Sequence, residues 1–521
     1  MTSSATGDGL GRRVARNVAA NALGRSFSII AWLAITPSVV RALGAEGFGF
    51  WSLISTFAGL SLALDLGLSS SVTKYVAEYR AAGREAEMAR TLTLALLASV
   101  ALGLVWLLAA WFLSERFLDF AKVSAATRPA AARALAWMGV AFALNLMSLV
   151  VSAVITGLQR IDLTSRNLLL VTLLQLALIF AVIVRGSGLE GMSIAATVAA
   201  LISLLLSWAT LHRIWGGLRL SLAGGSSSGD HDFGRFTLAL QMISLGVLVL
   251  YQTPKLFFTH YLSLSEVGDF ELAWRVAFSA WSLPSLLLPP LLPAAAHLDA
   301  TGDRVRLLEL YRRASRYLFV VAFTLSAGMV ALSGPLFTAW LGAGHGSVAQ
   351  ANCAIMGLLG INVLTSAGCL IARGLGRPWW EVGYLGIAWA LQWGLGVWWV
   401  PRFGFQGGLA AMLVAGTVGT LWFLFSFHRG LAEPLGRFLR MNALIPASAA
   451  VVGGLAGWFV SGGASGDPAS WTRAHALNAL LLGGTAHAAV TLFALFASRF
   501  VTLAELRGVW SMVRGAAPVE G

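Results

Sequence analysis

Residues 91–113 read TLTLALLASVALGLVWLLAAWFL, an apolar stretch without one charged side chain. A helix of that length rises ~34 Å, enough to cross a hydrocarbon core of ~30 Å. Comparable stretches recur outward from it in both directions. Fourteen spans are predicted, over residues 17–40, 47–72, 91–113, 134–157, 168–185, 191–212, 236–261, 268–296, 317–340, 350–372, 381–400, 407–428, 440–462 and 475–498. The composition agrees. The 521 residues are 57% hydrophobic and 11% charged, with a mean hydropathy of +0.77, whereas soluble domains carry ~25% charged residues. This excludes an ordinary soluble enzyme, a disordered chain and a disulfide scaffold, and it predicts an all-α, polytopic membrane protein.

The net charge is +13, from 36 Lys and Arg against 23 Asp and Glu. No basic segment carries a nucleic-acid recognition motif, so no nucleic-acid partner is expected. In a membrane protein, basic residues concentrate in cytoplasmic loops. With the N-terminus in the cytoplasm, 25 of the 36 fall in cytoplasmic segments and 8 in outer segments. The remaining three, Arg25, Lys255 and Arg275, lie inside spans. That bias predicts cytoplasmic termini and an even number of spans. Arg12, Arg13 and Arg16 precede an apolar stretch over 18–40, too long for the core of a cleavable signal and read as the first span. Cys353 and Cys369 share one predicted helix at a separation of ~24 Å, beyond the reach of a disulfide. His260, His475 and His487 are isolated, and no HExxH, CxxC, Walker A or GxGxxG placement occurs. Neither a metal nor a cofactor is expected.

The chain repeats itself. LGAEGFGFW at 43–51 is echoed by LSEVGDF at 264–270, and 77–90, with Gly83-Arg84, corresponds to 296–313, with Gly302-Asp303-Arg304. Residues 157–160 parallel 374–377, and Pro37 parallels Pro254, both at an offset of 217. At an offset of 216, Gly191 meets Gly407, Val198 meets Val414, and His212-Arg213 meets His428-Arg429. The two His-Arg pairs are read as inner-face anchors. The order and near-constant offset predict two pseudo-symmetric six-helix lobes, 1–223 and 236–430. The Ser/Gly-rich stretch at 224–235 links them, and 431–521 holds two extra helices and a cytoplasmic tail. An even number of helices per repeat gives parallel repeats, an architecture of transporters that rock one lobe against the other.

The stretch LGAEGFGFWSL at 43–53, followed by LDLGL at 64–68 and KYVAE at 74–78, resembles the start of bacterial polysaccharide flippases. These are the Wzx-type exporters of lipid-linked oligosaccharides, in the superfamily that also holds multidrug (MATE) exporters and the lipid II flippase. The resemblance covers about 10–440 as architecture, with its sharp motif at 40–80. It implies two bundles around a central cavity lined by helices 1, 2, 7 and 8, in the bacterial cytoplasmic (inner) membrane. It also implies alternating access that moves an undecaprenyl-diphosphate-linked sugar unit from the inner to the outer leaflet for cell-surface polysaccharide assembly. The partners it implies are that lipid-linked sugar, membrane lipids and other polysaccharide-assembly proteins. Asp65 has no acidic counterpart in the second lobe, where Leu286 falls.

A charge inside a span is costly and points to function. Arg25 and Asp65 each sit ~12 Å from the inner end of their spans, so adjacent antiparallel helices could pair them. Glu271 and Arg275 are four residues apart on one helical face. Pairing of buried ions explains both sets structurally. The functional alternative places Arg25, Lys255 and Arg275 as a cationic lining for a diphosphate, which guanidinium groups bind bidentately. Asp65 and Glu271 are then coupling groups or structural ion-pair partners. Pro37 and Pro254 are read as matched helix breaks near the outer ends of gating helices. Pro284, Pro289, Pro290 and Pro293 must distort the eighth span.

Three functions compete: the oligosaccharide flippase, a drug or lipid II exporter of the same superfamily, and a membrane-embedded sugar polymerase or ligase. A cationic-drug exporter calls for acidic lining, whereas these spans are net basic. An enzyme needs a site, and the longest outer loop, read as 114–133, carries Glu115 and Asp119 but no nucleophile–base set. The topology is directly testable: reporter fusions at Gly225 and at the C-terminus are expected to read cytoplasmic, and one at Gly466 outside. An outside reading at the C-terminus would remove the arrangement of two lobes plus two helices.

Overall fold

A computed structural model describes residues 29–56, 68–216, 220–221, 230–285, 287–463 and 471–502. Every regular element among them is helical. The chain forms two compact units, Met1–Gly268 and Asp269–Gly521. The first holds α1 (Ile29–Thr56), α2 (Leu68–Ala81), α3 (Glu85–Phe120), α4 (Arg128–Gly157), α5 (Ile161–Arg185), α6 (Gly188–Ile214) and α7 (Asp230–Tyr261). Helix α8 (Leu264–Ser285) starts in the first unit and continues into the second. The second unit holds α9 (Leu291–Ala300), α10 (Arg304–Ala331), α11 (Ser333–Leu341), α12 (Gly346–Gly374), α13 (Trp379–Gly430), α14 (Leu435–Asn442), α15 (Leu444–Val460) and α16 (Arg473–Ala497).

Among the described residues ten helices are long and apolar enough to cross a membrane, or eleven if the bent pair α14–α15 is one span. The predicted number of fourteen is finer than this count. The protein is a multi-pass membrane protein. Helix α13 has 52 residues and would rise ~78 Å if straight, about twice a membrane. Gly404, at φ 59 and ψ −140, breaks it in two. In α1 the corresponding break falls at Gly44, at φ 70.

Each unit builds its middle from one helix packed on several neighbours. Helix α4 packs on α2, α3 and α6 in the first unit, and α12 packs on α9, α10 and α13 in the second. The inner side of α4 meets α2 in a cluster that includes Val72, Val76, Val150, Val154 and Leu158.

The internal repeat reappears as repeated turns. Gly83 and Gly302 both sit at φ +69. Gly83 N–H bonds Arg80 O and Arg84 N–H bonds Tyr79 O, just as Gly302 N–H bonds Asp299 O and Asp303 N–H bonds Leu298 O. This double bond past a helix C-terminus satisfies two carbonyls that the helix leaves open. The turns after α4 and α12 match as well: Gln159 N–H to Thr156 O and Arg160 N–H to Ile155 O, against Gly376 N–H to Arg373 O and Arg377 N–H to Ala372 O. One step earlier, Gly157 and Gly374 let backbones touch. A Cβ on Gly157 would lie 2.8 Å from Thr73 O in α2, and one on Gly374 would lie 2.9 Å from Leu292 O in α9.

Several boundaries differ from the predicted ones, for physical reasons. Helix α3 runs on to Phe120, so the loop predicted over 114–133 shrinks to 121–127. Glu115 and Asp119, four apart on its last turns, clasp Arg128 at 2.6 and 2.8 Å and carry the helix beyond its apolar stretch. The eighth span divides at its prolines: α8 stops at Ser285, and Pro290 caps α9. The ninth divides at Leu332 into α10 and α11. Cys353 and Cys369 both lie in α12 as free thiols. Of the stretch predicted to link the lobes, residues 224–229 lie outside the described residues, and 230–235 are helical, the start of α7 rather than a linker.

The glycine contact at the end of α12 is expected to be sensitive to one methyl group. Gly374→Ala should destabilise the purified protein by ~1–3 kcal/mol, because a backbone carbonyl cannot give way as a side chain can. Gly386→Ala, whose Cβ meets nothing within 4 Å, should leave the melting temperature at or above wild type. Equal melting temperatures for the two variants would contradict the close approach.

Candidate functional site

Two of the residues singled out from the sequence, Arg25 and Asp65, lie outside the described residues. The others divide between the units. Lys255 sits in α7 with 2% of its surface exposed, so it does not snorkel toward lipid headgroups. Its Nζ donates to Thr56 Oγ1 in α1 at 2.9 Å. The Thr56 hydroxyl in turn donates to Ser52 O at 3.0 Å and lies 3.4 Å from Gln252 Oε1. This polar set joins the end of α1 to α7 inside the first unit.

Pro37 and Pro254 both lie within helices that continue through them. Neither ends its span; in α1 the chain breaks later, at Gly44. Each proline lacks the N–H that would bond the carbonyl four residues back. The residue before each is a buried threonine whose hydroxyl bonds a carbonyl four residues back: Thr36 to Trp32 O and Thr253 to Val249 O, both at 2.6 Å. Such back-bonding bends helices. The repeated element is therefore a Thr-Pro pair, legible in the sequence as Thr36-Pro37 and Thr253-Pro254 at one offset.

The two echoed stretches meet inside the first unit. A Cβ on Gly49 would overlap the Leu264 carbonyl, so only glycine lets α1 lie against the start of α8 there. A Cβ on Gly268 would lie 3.2 Å from Phe48 Cδ1 and 3.4 Å from Gly49 N. Nearby, the His260 ring stacks on Phe120 at 5.7 Å.

In the second unit, Arg275 Nε donates to Glu271 Oε1 at 2.7 Å within α8, with the side chains 23% and 10% exposed. Both groups lie on the face expected from their four-residue spacing. Ser279 Oγ also bonds the Arg275 carbonyl at 2.6 Å.

A second set of ion pairs, not foreseen from the sequence, sits at the arginine-rich end of this unit. Arg373 grips Glu381 with bonds of 2.7 and 2.8 Å and joins α12 to α13. Arg312 grips Glu433 bidentately at 2.7 and 2.9 Å, with Glu433 only 5% exposed. His428, read from the sequence as part of an inner-face anchor, is buried. It bonds Tyr311 Oη through Nε2 and Glu433 O through Nδ1, both at 3.1 Å. Its repeat partner His212 is exposed. The difference arises because Tyr311 and Phe438 build an aromatic pocket around His428.

Residues 14–292 match the polysaccharide biosynthesis protein family, more than half of the chain. The chain belongs to that family. No curated protein matches it in sequence. Among solved structures it resembles the lipid II flippase MurJ in an inward closed conformation, with a TM-score of 0.67 and 14% identity over 92% of this chain and 99% of that one. It also resembles an inward-facing multidrug resistance MATE family transporter of the MOP superfamily, with a TM-score of 0.57 and 17% identity over 79% of this chain and 95% of that one. The outward-facing conformation of such a transporter matches with a TM-score of 0.55 and 16% identity, over 81% and 96%. At these identities the likeness establishes a shared transporter fold. The chain is a multi-pass membrane protein of the polysaccharide biosynthesis family with the fold of these transporters.

The pairing in α8 predicts an energetic coupling. In a double-mutant cycle, Glu271→Gln and Arg275→Gln should show a coupling of ~0.5–3 kcal/mol in thermal stability. Strictly additive effects would show that the two charges do not stabilise one another.

Proposed function

We propose that this protein flips an undecaprenyl-diphosphate-linked oligosaccharide from the inner to the outer leaflet of the bacterial cytoplasmic membrane, by alternating access. The observation that carries this reading is the joining of two facts: membership of the polysaccharide biosynthesis family over 14–292, and spans whose ionised groups sum to a positive charge. A polyprenyl diphosphate has an anionic headgroup and an apolar tail. It suits a protein that offers cations within an apolar wall. A cationic drug would meet the wrong sign.

In this reading, residues 1–223 and 236–430 are the rocking lobes and both termini are cytoplasmic. The repeated turns at Gly83 and Gly302 support the pseudo-symmetry. Lys255, Arg275 and Arg25 hold the diphosphate in turn, while Glu271 and Asp65 balance those charges as it enters and leaves. The Thr-Pro pairs in α1 and α7 serve as hinges, since a proline bend absorbs motion at a fixed place. The glycine contacts of Gly49 and Gly268 mark where α1 parts from the start of α8 when the outer side opens. Other polysaccharide-assembly proteins are the partners this role calls for.

Reconstitution in vesicles tests the reading. A fluorescent undecaprenyl-diphosphate sugar should become accessible to a membrane-impermeant quencher faster with the protein than without it, and fluorescent phosphatidylcholine should not. Lys255→Gln is expected to slow this movement ~10-fold, the worth of one charge-assisted hydrogen bond, while Lys255→Arg retains most of it. Normal movement by Lys255→Gln at equal protein density would remove the diphosphate role of this residue. Equal movement of phosphatidylcholine would remove the substrate class.

A further inference from the structure

Between α13 and α15 the chain makes an eight-residue helix, α14, with sequence LGRFLRMN. Its axis bends 45° from α15. One face is firmly docked. Phe438 is 1% exposed and stacks on Tyr311 at 4.6 Å with the rings 5° apart. Asn442, one turn on, is buried and bonds Phe438 O at 3.0 Å. The bidentate Arg312–Glu433 pair and the bond from His428 to Glu433 O fix the turn that leads into the helix. Helix α14 is therefore held in one orientation rather than lying loosely on the protein.

That orientation decides what the opposite face presents. Arg437 and Arg440, three residues apart, are both exposed. Beside them Met441 is 57% exposed and Leu444 60% exposed. Adjacent cations and bare apolar side chains satisfy neither bulk water nor hydrocarbon. They fit the boundary between the two, where an amphipathic helix lies flat. The acid nearest in sequence, Glu433, is buried and committed to Arg312. Among the described residues no ion pair joins Arg437 or Arg440 to a carboxylate.

We propose that the exposed face of α14 is a binding site for the headgroup of an anionic phospholipid, with Arg437 and Arg440 holding its phosphate and Met441 and Leu444 against its acyl chains. Guanidinium groups bind phosphate oxygens bidentately, which a diffuse surface attraction does not require. The site shares no residue with the charges in α7 and α8 and does not depend on what the protein transports. Phosphatidylglycerol is the simplest ligand of this chemistry.

The full-length protein in a neutral detergent is titrated with phosphatidylglycerol, phosphatidylcholine or undecaprenyl diphosphate, and bound lipid is counted by native mass spectrometry. Wild type is expected to bind phosphatidylglycerol in preference to phosphatidylcholine. An arginine near a membrane surface contributes ~5-fold, so Arg437→Gln with Arg440→Gln should weaken phosphatidylglycerol binding ~25-fold and leave phosphatidylcholine unchanged. Arg437→Lys with Arg440→Lys should fall between, because charge remains and the fork is lost. A control pair on the first unit, Arg84→Gln with Arg213→Gln, should change binding less than 2-fold. All variants replace exposed side chains, and equal melting temperatures confirm that they fold. The proposal is overturned if the double glutamine variant binds phosphatidylglycerol like wild type, or if wild type shows no preference between the two lipids. It is equally overturned if the α14 arginines discriminate only a polyprenyl diphosphate, which would assign this face to the transported lipid.

Discussion

Hydrocarbon offers no hydrogen-bond partner, so every peptide group within the membrane must be satisfied by the chain itself. All else in this structure works inside that limit. It accounts for helices as the only regular element among the described residues. It also confines irregular backbone to a few positions. The breaks fall at Gly44 and Gly404, at the prolines between α8 and α9, and at Leu332 between α10 and α11. Pro37 and Pro254 each remove a bond from within a helix, and the buried threonine before each donates to the adjacent carbonyl, Trp32 O or Val249 O. Helices alone cannot settle how bundles pack, because lipid is as apolar as leucine and gives no push toward association. Close backbone approach has to do it. Gly157 against Thr73 and Gly374 against Leu292 do so in each unit, at the same step of the repeat.

The charges sort into two groups by depth and partner. Those at the arginine-rich end of the second unit act as fasteners: Arg373 with Glu381 ties the consecutive helices α12 and α13, and Arg312 with Glu433 ties α10 to the turn before α14, each through two or more bonds. Those within spans are fewer and have different surroundings. Lys255 bonds a hydroxyl across to α1, and Arg275 bonds a carboxylate on its own helix. A fastener gains from staying closed. Lys255 is the residue on which the proposed transport role is tested, because it is buried and bonds across to a second helix.

Most of the architecture was legible in the sequence because hydropathy and repeat offsets report on single helices and on their order. The spans around 91–113, 134–157 and 350–372 fall on α3, α4 and α12. The echoes at 83 and 302, and at 157 and 374, became matching turns and matching contacts. What was not legible depends on three-dimensional pairing. Glu381 and Glu433 look like ordinary loop-edge acids until α12 and α10 bring arginines to them. His428 looks like His212, but only the former meets Tyr311. Helix α14 straddles the start of the span predicted over 440–462 and was not read as a helix, because eight residues with alternating faces average to nothing in a long hydropathy window. The bonds of Thr36 and Thr253 were not legible either, because a hydroxyl's choice between its own helix and a neighbour is fixed only by packing.

The account makes one contact central. LGAEGFGFW and LSEVGDF, the two halves of the sharpest echo, touch where Gly49 meets Leu264 and Gly268 meets Phe48. If transport requires the helices to part there, joining them must stop it. The measurement is lipid movement in vesicles by a chain carrying Phe48→Cys and Gly268→Cys, with Cys353 and Cys369 replaced by alanine, before and after a short thiol cross-linker and again after reduction. The account predicts movement in the reduced protein, its loss on cross-linking and its return when the bridge is cut. Undiminished movement by the cross-linked protein would contradict it.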